Sequence, residues 1–247
     1  MQRAIFRNLI TGVCLISALN FFSYTSPKQV LADDSNQSRE GLPGRRVGGG
    51  TRSGSQILTE KPLAALLPET NQSLTVTGNP TLFFYVPKIR NLQTVEFVLN
   101  DENEQTVYQK TLITNGNAGI ISVNIAGTDQ LKSLEVGKKY RWFFAIITNP
   151  NDRSADIYVA GTIERVNPNA TVASQLNNLN PLDQVAVYEE NQYWYDAIAT
   201  LAELRHSRPN DTAVEAKWAK LLQLFKLDSI AQEPIVKYQI SSVQNDL

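Results

Sequence analysis

From Pro62 to Val166 apolar residues recur at every second position, and this period constrains the fold more than any other feature of the chain. Only extended backbone puts alternate side chains on one face. Val95, Phe97 and Leu99 alternate with Glu96, and Ile121, Val123 and Ile125 alternate with Ser122 and Asn124. The pattern predicts strands at Leu74–Val76, Thr81–Val86, Thr94–Leu99, Thr106–Leu112, Ile120–Ile125, Tyr140–Thr148 and Asp156–Val166, each burying one face only. About seven such strands in roughly 100 residues read as an antiparallel β-sandwich of immunoglobulin or fibronectin type.

Two turns agree with this reading. Asn100-Asp101-Glu102-Asn103-Glu104 separates two strand-like runs and reads as a hairpin loop whose side chains tolerate left-handed backbone or bond their own main chain. Leu134-Glu135-Val136-Gly137-Lys138-Lys139-Tyr140 has the spacing of a tyrosine corner, in which the phenol bonds upstream backbone as a late strand opens. Tyr140, Trp142, Phe144 and Ile146 then fall on one face, where aromatic residues of a period-two strand form core.

Beyond Val166 the period changes. Asn167–Asn180 is small and polar and reads as a linker between a sandwich over 61–166 and a helical segment over 181–247. Asn180 caps a first helix with Pro181 at its first position and Asp183 in its first turn. Trp194, Ala197, Ile198, Leu201 and Ala202 form the stripe of a second helix, with Tyr188, Tyr193, Trp194 and Tyr195 crowded around its start. Pro209-Asn210-Asp211 breaks it, Thr212 and Glu215 read as a capping box, and Val214, Trp218, Leu221, Leu222 and Phe225 line a third helix. Ile235–Val243 reads as a short strand or tail. The fold class is therefore β-rich, a sandwich followed by three helices.

Upstream of the strands, Arg3 and Arg7 precede an uncharged run from Leu9 to Phe22, and Val30-Leu31-Ala32 supplies a cleavage site, the arrangement of a secretory signal peptide over 1–32. The run is short of the roughly 20 residues that a spanning helix needs. Cleavage after Ala32 removes the only Cys, Cys14, and leaves 215 residues with formal charge −4. That balance argues against nucleic-acid binding through a basic field. One Cys and one His leave no inventory for a Cys/His zinc site, an Fe–S cluster or a Cys-His dyad, so no metal or cofactor is expected. Asp33–Glu60 is rich in Gly, Ser and Arg and poor in apolar residues, and reads as a disordered arm.

Several blocks in one order carry a family resemblance: Gly44–Arg52, Pro62–Glu69, Phe84–Pro87, Glu96–Leu99, Leu134–Trp142, Asp152–Asp156, Trp194–Ala197 and Leu201–Arg205. Together they resemble a cyanobacterial exported family known as a domain of unknown function, DUF928. The resemblance covers nearly the whole chain after Ala32. It implies an exported, periplasmic protein and brings no catalytic residue with it.

The candidate binding residues form three groups, each with a plainer alternative. Arg45, Arg46 and Arg52 flank Gly48-Gly49-Gly50, whose amides can cradle an anion. No strand precedes this loop and no helix with Lys-Ser/Thr follows, so a flexible arm is the plainer reading. Asp152, Arg153 and Asp156 offer oxygen ligands and a guanidinium between two strands, or simply a hairpin turn with a local ion pair. Tyr193 and Tyr195 can present an exposed ring to a sugar or a partner, or pack helices onto the sandwich. His206, the only imidazole, reads as a helix-end cation.

No nucleophile elbow is present, which favours a non-enzymatic exported module binding an envelope protein or polymer through its helical part or its arm. Two readings stand beside it. One is a periplasmic hydrolase using two carboxylates from Glu189, Glu190, Asp196 and Glu203 in a cleft where sandwich and helices meet, and the other is a structural envelope component.

Overall fold

The computed structural model describes residues 61–89, 94–125, 127, 131–236 and 239–240. The expected signal peptide, the Gly/Arg arm and Arg45, Arg46 and Arg52 lie outside the described residues. Eight strands come first: β1 (Ala64–Ala65), β2 (Gln72–Thr75), β3 (Thr81–Val86), β4 (Thr94–Asn100), β5 (Thr106–Ile113), β6 (Gly119–Asn124), β7 (Lys139–Ile147) and β8 (Ile157–Arg165). Four helices follow, α1 (Ala170–Asn178), α2 (Pro181–Glu190), α3 (Trp194–Ser207) and α4 (Thr212–Leu224), and then a short strand β9 (Gln239–Ile240).

The strands make two sheets. One has the order β1-β3-β6, and the other runs β2-β8-β7-β4-β5 with β9 added at the β5 edge. Neighbours are antiparallel except β2 and β8, which run parallel. One core joins the inner faces, with Leu82, Phe84 and Val86 of β3 meeting Val95, Phe97 and Leu99 of β4 and Tyr140, Trp142, Phe144 and Ile146 of β7. Phe84 stacks on Phe144 at 4.2 Å between ring centroids and meets Trp142 edge-on at 5.4 Å. Such pairs add roughly 0.5–1.5 kcal/mol beyond the area they bury.

Both turns form as their residue types dictate. Asp101 Oδ1 accepts from the backbone N–H groups of Asn103 and Gln105, at 2.9 Å each, and Glu104 takes φ 59°. Tyr140 Oη accepts from the Glu135 N–H at 3.1 Å, and Gly137, at φ +79°, donates its N–H to the Arg165 carbonyl at 2.7 Å. The tyrosine corner is therefore present.

Three local expectations need correction. β3 buries both faces, because Phe83 and Tyr85 point away from the first core and pack with Ile120 against Ala197, Ile198 and Leu201 of α3 and Trp218, Leu221 and Leu222 of α4. Residues 82–86 (LFFYV) are a continuous apolar run, the signature of a strand covered on both sides, and each large side chain so buried contributes roughly 1.5–3 kcal/mol. The second correction concerns 167–180, where the expected linker contains α1. Asn169 caps it by accepting from the Val172 N–H at 2.9 Å, and Val172 packs with Val187 and Tyr193 beside Leu74, Val76 and Leu176. Tertiary packing here overrides a weak local preference. The third is the cap of α4: Asp211, not Thr212, accepts from the Ala213 and Val214 N–H groups, while Glu215 pairs with Arg205 at 2.8 Å. For α2 the expected cap holds, with Asn180 Oδ1 accepting from Leu182 and Asp183.

Candidate functional site

Two places concentrate chemistry, the junction of the sheets with α3 and the outer face of the longer sheet. At the junction Gly161 of β8 stands opposite Trp142 of β7. A Cβ at Gly161 would fall on the Trp142 indole and lie 2.7 Å from the Asn71 carbonyl oxygen, so only glycine fits. The freed space lets the Trp142 indole N–H donate to Tyr195 Oη at 2.7 Å, and the phenol donates onward to the Thr162 carbonyl at 2.9 Å. Burial pushes the Tyr195 phenol far above its ordinary range, so it stays a donor. Asn71, wholly buried in left-handed backbone at φ 50°, donates from Nδ2 to the Ala160 carbonyl at 2.6 Å and accepts from the Thr162 N–H at 2.9 Å. Asn tolerates that conformation better than most residues.

Next to this network lies Asp196, in the first turn of α3 and only 6 % exposed. Its Oδ1 accepts from Thr77 Oγ1 at 2.6 Å and its Oδ2 from the Val76 N–H at 3.1 Å. Burial raises its pKa, opposed by hydrogen bonds from Thr77, Thr75 and the Val76 backbone. The carboxyl thus ties α3 to the end of β2.

The candidate carboxylates occupy different settings. Glu189 pairs with Lys217 at 2.8 Å, Glu190 and Glu203 are exposed, and Asp196 faces the Thr75–Thr77 segment. Among the described residues, no group of three or more His, Cys, Asp or Glu side chains is arranged to hold a metal ion. His206 is exposed in the last turn of α3, where the sequence places it.

The outer face of the longer sheet carries the second concentration. Here Val98 of β4 stands opposite Phe143 of β7, Phe143 opposite Ala160 of β8, and Tyr158 of β8 opposite Ala145 of β7. Val98, Phe143 and Tyr158 are half-buried, and α3 packs on β2 and β3 instead. Toward one end Arg153 bridges Glu96 at 2.7 Å and Asp156 at 2.6 Å, and Gln109 Nε2 donates to Glu96 at 2.9 Å. Toward the other, Arg141 pairs with Glu104 at 3.1 Å. The patch thus has an apolar centre with two aromatic rings and a polar rim.

The structure brings Asp152, Arg153 and Asp156 together in a single turn. Asp152 Oδ1 accepts from the Ser154 N–H at 3.1 Å and caps the 3₁₀ turn Arg153–Ala155, while Asp156 Oδ1 accepts from the Thr148 N–H at 3.4 Å. Tyr193 and Tyr195 do not join them. Tyr195 lies in the core between the sheets and Tyr193 in the small cluster under α1 and α2, so neither presents the exposed ring that a stacking role requires. Packing with Val172 and Val187 draws Tyr193 inward, and the bond from the Trp142 indole holds Tyr195 in the core. The Val98–Phe143–Tyr158 patch escapes sequence reading because its members come from three strands.

No helix among the described residues is long and apolar enough to cross a membrane. No curated protein matches the chain. The family model described as Domain of Unknown Function (DUF928) matches residues 47–235, from inside the Gly-rich segment to the bridge that Ile235 makes with β6. That span covers most of the chain, which therefore belongs to the DUF928 family.

Proposed function

We propose that this DUF928 member is an exported, non-enzymatic binding module: an immunoglobulin-like sandwich whose outer sheet face docks an envelope protein or polymer in the periplasm. The strand order supports the sandwich reading, because β1-β3-β6 faces β2-β8-β7-β4-β5 and the late strands β7 and β8 sit between β2 and β4. The signal-peptide pattern over 1–32 supports export. The observation that carries the binding role is the Val98–Phe143–Tyr158 patch, apolar at its centre and rimmed by Glu96–Arg153–Asp156 and Glu104–Arg141.

Truncating the helices is a poor test, since they cover Phe83 and Tyr85 and their loss would open the core. Phe143→Arg is the better perturbation, because residue 143 points outward and a long side chain can reach solvent. The purified protein and this variant are compared for capture of envelope components, with a photo-crosslinking residue at position 143 in one sample and at the α4 residue Lys220 in another. The reading expects crosslinks from position 143, a bound component lost in Phe143→Arg, and equal thermal midpoints. A component held equally by both proteins, or crosslinked only from position 220, would refute it.

A further inference from the structure

The turn between β5 and β6 carries the chain from one sheet to the other and contains the only Asn-Gly step in the sequence, Asn115-Gly116. Asn115 is exposed, whereas Thr114 before it is 1 % exposed and Gly119 beyond the turn packs against Val236. Gly116 sits at φ 80° and its carbonyl accepts from the Ile89 N–H at 3.0 Å. Asn115 Oδ1 accepts from the Asn117 N–H at 3.0 Å. That bond folds the side-chain carbonyl back over the following peptide and sets a hydrogen-bond donor on the oxygen that would gain charge if its carbon were attacked. The attacking group is at hand in the Gly116 amide nitrogen, which has no neighbouring Cβ to shield it.

From this geometry we propose that Asn115 is a spontaneous deamidation site, converted by water to aspartate and isoaspartate in the folded protein. Hydroxide removes the Gly116 amide proton, and the nitrogen attacks Asn115 Cγ to form a five-membered imide. The Cγ–Nδ2 bond breaks and ammonia leaves, taking the proton it needs from water. Water then adds to either imide carbonyl: opening at Cγ gives aspartate, and opening at the main-chain carbonyl gives isoaspartate. One water is consumed and one ammonia released, with no change of oxidation state. Other asparagines lack this combination. Asn117 and Asn169 precede alanines, whose Cβ shields the amide; the Asn169 Oδ1 caps α1; and Asn71 is fully buried. The product adds one negative charge, and its isoaspartate form lengthens the main chain between the anchored Thr114 and Gly119.

The test ages the purified protein at mildly alkaline pH, alongside a sample unfolded in urea and an Asn115→Gln variant. Peptide mapping by mass spectrometry follows each asparagine, and circular dichroism follows the fold. The expected result is the amide-to-acid mass gain at Asn115 ahead of every other asparagine, at a rate in the folded sample no lower than in urea. An acidic shift of one charge should accompany it and be lost in Asn115→Gln. An Asn115 that stays intact in the folded protein while the urea sample converts would overturn the proposal, as would earlier conversion of another asparagine.

Discussion

Replacing Asp196 tests whether the helices are held to the longer sheet by a carboxyl for which burial outweighs hydrogen bonding. Its oxygens accept from Thr77 Oγ1 and the Val76 N–H, and burial raises its pKa from the ordinary 3.8. Asp196→Ala leaves the half-buried Val76 N–H without its acceptor, while the hydroxyl of Thr77, an exposed residue, can turn to water. At about 1–3 kcal/mol for that one orphaned group, the loss is roughly 1–3 kcal/mol. A chain of this size drops roughly 2–4 °C in Tm for each kcal/mol. Asp196→Asn keeps an oxygen for the Val76 N–H, turns its amide N–H toward Thr77 Oγ1, which can accept, and removes the ionisation. Because the folded pKa is raised, the contribution of Asp196 to stability is fully present below the unfolded value and is lost as pH rises through the folded value. The Asn variant should therefore gain on the wild type as pH rises from below 3.8 toward neutrality. Urea unfolding of the three proteins across that range measures this. If the wild type instead gains on the Asn variant with rising pH, the carboxylate is stabilised by its donors more than burial penalises it, the opposite of the balance drawn above.

Two further outcomes follow from the junction. Gly161→Ala drives a Cβ into the Trp142 indole and toward the Asn71 carbonyl oxygen, both fully buried, so it should cost about 1–3 kcal/mol or more and quench or shift Trp142 emission. Tyr195→Phe leaves the Trp142 indole N–H without its acceptor and should cost about 1–3 kcal/mol in urea unfolding at unchanged m-value; a variant as stable as the wild type would mean that this bond contributes nothing net.

Much of the β architecture is legible in the residues themselves. Strand positions, the Asn100–Glu104 loop, the tyrosine corner at Tyr140 and the Asn180 cap all depend on neighbours within a few positions, and near-neighbour chemistry is what a sequence states directly. The candidate site is less legible. Asp152, Arg153 and Asp156 do form the local turn their spacing suggests, yet Glu96, which completes the cluster, comes from another strand. Tyr193 and Tyr195 sit in places that no helical period distinguishes from a surface edge.

What the chain's order determined alone is which segments extend, which coil and where they stop, because periodicity, caps and turn residues act over short range. What only the tertiary structure decided is which second faces are covered. The helices close over Phe83 and Tyr85, α1 forms against the end of β2, Asp196 is drawn under Thr77, and Val98, Phe143 and Tyr158 are left facing outward. Each outcome depends on contacts between residues far apart in sequence, and burial belongs to the assembled packing, not to any one segment.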